Sequence, residues 1–244
     1  MIFCLLFVGV CNSQTTGTIT DSRDGRVYTM VGIGNQTWMA ENLRVDRFRN
    51  GDPITEVKTN EEWKRAGENK QPAWCYYEND PKNGVKYGKL YNWYAVNDSR
   101  GLAPTGWHIS SDAEWKVLKD YLGLDEGIIM KSISGWNGYG CKKCDGGSST
   151  FMANCSACKG TQKNSSVPLS GNGTNSSGFS GFPGGNRYDD GGFGQIGTHG
   201  YWWSSTEYDT KYAWYHRLNN IYCCEYRNRD RIKVEGFSVR CLRD

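Results

Sequence analysis

The segment Ser111-Asp-Ala-Glu-Trp-Lys-Val-Leu-Lys-Asp-Tyr-Leu-Gly123 carries the clearest structural signal in this chain of 244 residues. Ser111 and Glu114 have the spacing of a capping box, in which the serine hydroxyl accepts a hydrogen bond from the first turn and the glutamate reaches back. Trp115 and Leu122 follow at helical spacing, and Gly123 is typical of the position after a helix end. The segment therefore predicts an amphipathic helix.

Signals on both sides of this helix indicate an α+β fold. Thr59-Asn-Glu-Glu62 is a second capping box, which predicts a short helix ending at Gly67. Asp24-Gly25 is a turn signal within the strand-like residues 18–39, so a β-hairpin is expected at the start of the domain. Residues 165–200 are rich in Gly, Ser and Asn and predict a long loop region. Strands are predicted at residues 201–205, 213–218, 221–234 and 237–242.

The composition favours a single loop-rich domain with an aromatic core. The chain has 10 Trp, 15 Tyr and 31 Gly, and residues 73–94 are especially dense in aromatic side chains, most of which are expected in the core. The formal net charge is only +3, with acidic and basic residues interspersed. This pattern argues against a surface for nucleic acid, which requires a basic patch.

The first residues predict export. An apolar run covers residues 1–10 and is too short to span a bilayer, so residues 1–13 are interpreted as a signal peptide or a lipoprotein signal. Val8-Gly-Val-Cys11 loosely resembles a lipobox, in which Cys11 is lipidated; simple cleavage near Ser13 is the alternative. We therefore expect a secreted protein or an outer-surface lipoprotein, attached to a membrane only through Cys11.

Six motifs together carry a resemblance to a known family. They are Trp38-Met-Ala-Glu-Asn-Leu43, Tyr87-Gly-Lys-Leu-Tyr-Asn-Trp-Tyr-Ala-Val96, Pro104-Thr-Gly-Trp-His108, Gly178-Phe-Ser-Gly-Phe-Pro-Gly-Gly185, Trp202-Trp-Ser-Ser-Thr206 and Gly236-Phe-Ser-Val-Arg-Cys-Leu-Arg243. From about Asp21 to the C-terminus the chain resembles the Fibrobacter succinogenes major paralogous domain. The resemblance implies a C-type lectin-like fold over residues 18–244, with two helices on a small twisted antiparallel sheet and long loops. Many members have Cys where this chain has Ala103, so a disulfide from that position to Cys241 is excluded.

Four cysteines define a predicted insertion at residues 137–163. Cys141-Lys-Lys-Cys144 and Cys155-Ser-Ala-Cys158 are two C-x2-C turns, whose four thiolates can surround one structural Zn2+ tetrahedrally. Two disulfides are the alternative, because the expected compartment is oxidising. Asp189 and Asp190 are too few ligands to predict a calcium site.

The remaining cysteines raise the question of enzymatic activity. Cys75 and Cys241 are a possible disulfide pair. Formylglycine-generating enzymes share the implied fold and use two cysteines separated by several residues, whereas Cys223 and Cys224 are adjacent and lack that motif. We therefore predict a protein that is not an enzyme, with a formylglycine-type oxidase relative or a structural surface component as alternatives. His108 has no second catalytic or metal-ligating residue at a recognisable spacing in the sequence, so it is interpreted as structural.

The C-terminal part predicts a binding surface. Lectin-like domains of this kind are recurrent targets of diversity-generating retroelements, which vary residues encoded by adenine-containing codons. The even positions from 216 to 234 are all reachable in this way, and alternate residues of a strand share one face. Trp202, Trp203, Trp214 and Phe237 are expected in the frame. The candidate ligand-binding residues are Tyr208, Tyr212, Tyr215, His216, Asn220, Tyr222, Cys224, Tyr226, Asn228, Asp230 and Ile232. The expected partner is an extracellular protein or a glycan, and an ordinary edge strand is the alternative interpretation.

Overall fold

The computed structural model describes residues 14–137, 171–221 and 225–244. The predicted signal at residues 1–13 lies outside the described residues, as do the four cysteines of the insertion (Cys141, Cys144, Cys155 and Cys158) and Tyr222, Cys223 and Cys224. No helix within these ranges combines the length and the apolar character needed to cross a membrane.

The predicted hairpin opens the first sheet. β1 (Thr16–Thr20) and β2 (Val27–Ile33) pair antiparallel, and Gly25 in the turn between them has φ +70°, a conformation that favours glycine. Its remaining strands are β3 (Gln36–Met39), β7 (Trp107–Ile109) and β13 (Cys241–Arg243). The sheet has the order β1-β2-β3-β13-β7, and all its pairs are antiparallel. Because β13 lies between β3 and β7, the last residues of the chain complete a sheet that the first strands begin.

Both predicted helices form at their capping boxes. α1 (Asn60–Glu68) begins after Thr59 and α4 (Asp112–Leu122) after Ser111, and in each the two reciprocal hydrogen bonds are present. The prediction that α1 ends at Gly67 is wrong by one residue. Gly67 lies inside the helix. A Cβ at this position would collide with the side chain of Val234, so glycine here allows close packing. The other helices are α2 (Pro81–Tyr87), α3 (Trp93–Val96), α5 (Glu126–Met130) and a 3-10 turn at Tyr77–Asn79.

A second sheet holds most of the C-terminal part of the chain. Its strands are β8 (Gly184–Arg187), β9 (Phe193–Ile196), β10 (His199–Glu207), β11 (Ala213–Asn219) and β12 (Tyr226–Asn228). Their order is β12-β11-β10-β8-β9, with β8 and β10 parallel and the other pairs antiparallel. β8 and β9 lie where a loop region was predicted, so that prediction is wrong for those eight residues. A third, three-stranded sheet contains β4 (Thr55–Glu56), β5 (Ala73–Cys75) and β6 (Leu90–Tyr91).

Aromatic side chains fill the core, as the composition predicts. Trp202 and Trp203 are neighbours on β10 and point to opposite faces of the second sheet. Trp202 packs against Trp115 of α4 at a ring distance of 6.2 Å, whereas Trp203 lies 4.3 Å from Phe237. All four rings are buried. Trp214, the fourth residue expected in the frame, is only half-buried and lies at the surface, so its assignment to the frame is wrong.

Two completely buried arginines hold irregular segments through main-chain oxygens. Arg240 donates from Nη1 to the carbonyl of Met39 at 2.9 Å, from Nη2 to that of Ser180 at 2.8 Å and from Nε to Oδ1 of Asn42 at 2.7 Å. Burial lowers the pKa of Arg240 to about 9. Arg187 similarly donates to carbonyls at residues 57–59 and 191. Each side chain therefore supplies N–H donors to several main-chain carbonyls at once.

The possible disulfide between Cys75 and Cys241 does not form, because both thiols are free and buried. Cys75 lies in β5, opposite Leu90, and Cys241 lies in β13, opposite Ile109, so the two belong to different sheets. Burial raises the pKa of each thiol to about 12. Both behave as small apolar side chains of the core.

Candidate functional site on the two faces of the C-terminal strand pair

The register of β11 and β12 decides which side chains share a face. Tyr215 lies opposite Asn228, His216 opposite Arg227, and Arg217 opposite Tyr226. Directly opposed residues point to the same face of a sheet, and each of these pairs joins an odd and an even number. Even-numbered residues of β11 therefore share a face with odd-numbered residues of β12. The prediction of one face formed by the even positions from 216 to 234 is wrong.

Burial confirms this correction. His216, Leu218 and Asn220 are 2%, 1% and 4% exposed, so these even positions point into the protein. Substitutions there change the core, and the hypothesis of a diversified surface loses its structural argument. Among the other candidates, Tyr215 is also buried, Tyr208 and Asp230 are exposed, and Tyr212, Tyr226, Asn228 and Ile232 are half-buried. Tyr222 and Cys224 lie outside the described residues.

His216 lies at the centre of a buried charged cluster. Its ring stacks on Trp115 with centroids 4.4 Å apart and an interplanar angle of 11°. Nδ1 lies 2.6 Å from Oε1 of Glu225, and Nε2 lies 3.4 Å from Oδ1 of Asp112. Burial by itself lowers the pKa of His216, but the two carboxylates outweigh it and the pKa is raised.

A lysine completes this cluster and ties the strand pair to two helices. Nζ of Lys119 lies 3.5 Å from Oε1 of Glu126 and 3.5 Å from Oε2 of Glu225. The main-chain N–H of Glu225 also donates to Glu126 at 3.2 Å. Lys119 belongs to α4 and Glu126 to α5, so the segment entering β12 is attached to both helices. We call His216, Asp112, Glu225, Lys119 and Glu126 the His216 network.

An arginine–aromatic patch lies at the outer end of the sheet face that carries His216. It is formed by Tyr208, Trp214, Arg227 and Arg229. The guanidinium carbon of Arg227 lies 3.4 Å from the centroid of Trp214, and its nitrogens donate to both oxygens of Asp112 at 2.6 and 2.7 Å. Burial alone raises the pKa of Asp112, but the nearby His216 ring and the hydrogen bonds from Arg227 outweigh it and hold the pKa at about 2. Asp112 therefore keeps Arg227 flat on the indole.

The second arginine of the patch lies between its two rings. Arg229 is 4.4 Å from the centroid of Tyr208 and 5.6 Å from that of Trp214. The two rings meet edge to face, 5.5 Å apart at 79°. Tyr208 is 42% exposed, and both arginines are exposed. The result is a surface in which cations and aromatic rings hold one another in place.

The opposite face of the strand pair carries the Arg217 cluster: His199, Tyr201, Arg217, Arg231 and Glu235. Tyr201 of β10 lies opposite Arg217, and the His199 ring stacks on Tyr201 at 5.7 Å and 12°. Nη1 of Arg231 lies 3.2 Å from Oε1 of Glu235. Burial and then the two arginines lower the pKa of His199 to about 4. Burial raises the pKa of Glu235 to about 7, although Arg231 partly offsets it.

The sequence-based selection missed the charged members of both faces. These residues are Arg217, Arg227, Arg229, Arg231 and Glu235, all at odd positions that the alternation argument excluded. One signal was available, since Arg227-Asn-Arg-Asp-Arg231 places three arginines at alternate positions of a strand. Such spacing predicts a shared cationic side, although the structure divides these arginines between the patch and the Arg217 cluster.

The other candidates do not form a site. Asp189 and Asp190 are both exposed, and within the ranges that the structure describes no three His, Cys, Asp or Glu side chains are grouped so as to hold a metal ion. His108 contacts Glu114 of the α4 capping box at 2.8 Å and Asp244 at 2.7 Å. These contacts attach the C-terminus to the start of α4.

The geometry and the comparisons together define the class of this protein. It is an α+β domain in which short helices pack on antiparallel and mixed sheets. The sequence profile of the Fibrobacter succinogenes major domain matches residues 31–243, and the chain belongs to this family. No curated protein matches the chain. No solved structure matches it either.

Proposed function

We propose that this protein is an exported ligand-binding protein with a C-type lectin-like fold, and that it binds a partner protein through the arginine–aromatic patch. The observation that carries the proposal is the surface packing of exposed Tyr208, Arg227 and Arg229 around half-buried Trp214. Tyrosine, tryptophan and arginine are the residues most enriched at the energetic centres of protein interfaces. No catalytic role is proposed for these residues.

The patch is organised before a ligand arrives. Asp112 holds Arg227 with two short hydrogen bonds, so this side chain loses little conformational entropy on binding. Arg229 is held only by the rings of Tyr208 and Trp214, and among the described residues no carboxylate pairs with it. Arg229 can therefore donate hydrogen bonds to a carboxylate of the partner. This favours a partner with acidic side chains beside an apolar area.

A protein partner is favoured over a glycan. Sugars bind aromatic side chains by stacking on an open ring face, but the guanidinium of Arg227 already covers one face of Trp214 at 3.4 Å. The edge of Tyr208 and the arginine donors remain accessible. A mixed cationic and aromatic surface of this kind matches a protein interface.

The remaining features of the proposal concern residues outside the described ranges. We propose a signal peptide or lipoprotein signal at residues 1–13, and hence a location outside the cell, either secreted or anchored through Cys11. One structural Zn2+ would be held by Cys141, Cys144, Cys155 and Cys158. Both proposals support a surface-binding role but are independent of the patch.

The experiment compares binding of the full chain and its variants to surface-protein fractions and to a glycan array. Trp214→Ala and Arg229→Ala should each weaken binding to the protein ligand at least about 30-fold, the size of a hot-spot residue. Tyr121→Ala is the matched control, because Tyr121 is an aromatic residue 57% exposed near the other end of α4. Equal losses in the control and the patch variants, or binding confined to glycans, would contradict the proposal.

A further inference from the structure

Arg217 is half-buried and lies beside the Tyr201 hydroxyl, but it has no charged partner among the described residues. Its guanidinium carbon lies 5.0 Å from the ring of Tyr226, and its Nε is buried without a hydrogen-bond partner in the part of the chain that the structure describes. Among the described residues Glu235 pairs with Arg231, whereas no carboxylate pairs with Arg217. An unsatisfied N–H beside a delocalised cation is costly unless a polar ligand completes its hydrogen bonds.

A second unpartnered donor lies on the same face. Asn228 is on β12, two residues from Tyr226, and Tyr226 pairs with Arg217, so all three side chains point to one side of the sheet. Nδ2 of Asn228 is buried without a hydrogen-bond partner. The face therefore holds two buried N–H donors, one from an arginine and one from an amide, which a ligand reaches only by displacing neighbouring side chains.

The electrostatic balance of this face selects the kind of ligand. Arg217 and Arg231 supply two positive charges, and burial together with these charges lowers the pKa of His199 to about 4, so its imidazole is neutral above that pH. Two carboxylates oppose them: Glu235 contacts Arg231, and Asp230 accepts a hydrogen bond from the Tyr215 hydroxyl at 2.6 Å. Because the charges nearly cancel, a singly charged ligand is favoured over a doubly charged phosphate.

We propose that the Arg217 cluster binds the carboxylate group of a small organic acid, with Arg217 as its main ligand-binding residue. The planar edge of a guanidinium matches the two oxygens of a carboxylate, and Nε is one of the two donors on that edge. Arg231 supplies the second positive charge and Asn228 a further N–H. This site lies on the opposite face of the strand pair from the arginine–aromatic patch and is independent of the proposed protein partner.

Glu235 makes this binding dependent on protons. Its Oε2 has no hydrogen-bond partner, and its charge is influenced by Arg231, Asp189 and Asp230. Above a pH of about 7, the charged Glu235 competes with the ligand for Arg231; below it, the neutral acid does not. Carboxylate binding is therefore expected to tighten as pH falls from 8 to 6, within the range where the cluster's arginines stay charged.

The test is calorimetric titration of the full chain with acetate, glucuronate and glucose at pH 6 and pH 8, and with inorganic phosphate at pH 8, where phosphate is mostly doubly charged. Binding of acetate and glucuronate, without glucose and with at least about 10-fold weaker phosphate, is the expected result. Binding of glucuronate alone would also support the site and identify a sugar acid as its ligand. Binding of phosphate as tightly as of the carboxylates, or no binding of either carboxylate at pH 6, would overturn the proposal.

Variants locate the site within the chain. Arg217→Met and Arg217→Lys should each lose at least about 10-fold in affinity, because lysine keeps the charge but not the two-donor edge. Arg229→Met, on the opposite face, should bind the carboxylates like the natural chain even though it loses the protein partner. Unchanged affinity in Arg217→Met refutes the proposal. If that variant does not fold, Glu235→Gln decides: it should abolish the pH dependence, and an unchanged pH dependence refutes the proposal.

Discussion

Replacing Glu235 by glutamine should make the protein more stable at neutral and alkaline pH. Glu235 is 4% exposed, and burial raises its pKa from 4.5 to about 7. The folded state therefore binds its proton more tightly than the unfolded state does, and the resulting stability is fully present below pH 4.5 and is lost as pH rises towards 7. At about 1.36 kcal/mol for each pH unit, the loss is about 3 kcal/mol.

The assay is urea unfolding of the natural chain and of Glu235→Gln at pH 4.5, 6 and 8. The difference in unfolding free energy between the two proteins should grow by about 3 kcal/mol in favour of the glutamine variant between pH 4.5 and pH 8. His216 and Asp112 are present in both proteins, so the contribution of their shifted pKa values cancels in this difference. A difference that stays constant with pH would show that Glu235 does not titrate in this window.

Three further predictions test other parts of the structure. Asp112→Asn should lower the free energy of unfolding by about 2–4 kcal/mol and should lower the pKa of His216 measured by NMR. Asp120→Asn, on the exposed side of α4, should lower the free energy of unfolding by less than about 0.5 kcal/mol. Equal losses in the two variants would contradict the His216 network. Arg240→Met should cost about 3 kcal/mol or more by thermal unfolding because buried carbonyls lose their donors, while Arg243→Met at the exposed end of the adjoining strand β13 should be nearly neutral. Elemental analysis should find one zinc per chain, and two disulfides without metal in a thiol assay would contradict the four-cysteine site.

The local parts of the fold were predictable because their causes are local. The helix starts at Thr59 and Ser111 depend on side chains three residues apart, and both capping boxes form. The opening hairpin depends on one glycine in its turn. In each case the residues that stabilise the element are adjacent to it in the sequence.

The strands β8 and β9 were missed because distant residues stabilise them. β8 consists of Gly184-Gly-Asn-Arg187, which has low strand propensity. Gly185 has φ +66°, and a Cβ there would collide with the main chain of β9. The glycines that suggest a loop instead allow two main chains to approach closely, and only the tertiary structure distinguishes these cases.

The site was mispredicted because strand alternation is a local rule and register is not. Reading every second residue from 216 to 234 assumes one continuous strand, but β11 ends at Asn219 and β12 begins at Tyr226. The number of residues between two strands decides whether odd or even positions of the second strand continue the face of the first. The pKa of Glu235 depends similarly on burial by residues that are distant in sequence.

Asp112 links the exposed patch to the core, and this limits how far the surface can vary. Its carboxylate binds exposed Arg227 with two hydrogen bonds and also lies 3.4 Å from buried His216. Removing Arg227 would leave Asp112 balanced by His216 alone, which is already 2.6 Å from Glu225. Since a half-buried carboxylate without its cation is costly, a neutral residue at 227 would destabilise the His216 network. A surface that tolerates unrestricted substitution must therefore exclude position 227. Arg229 has the greater freedom to change, because among the described residues it contacts aromatic rings and no carboxylate.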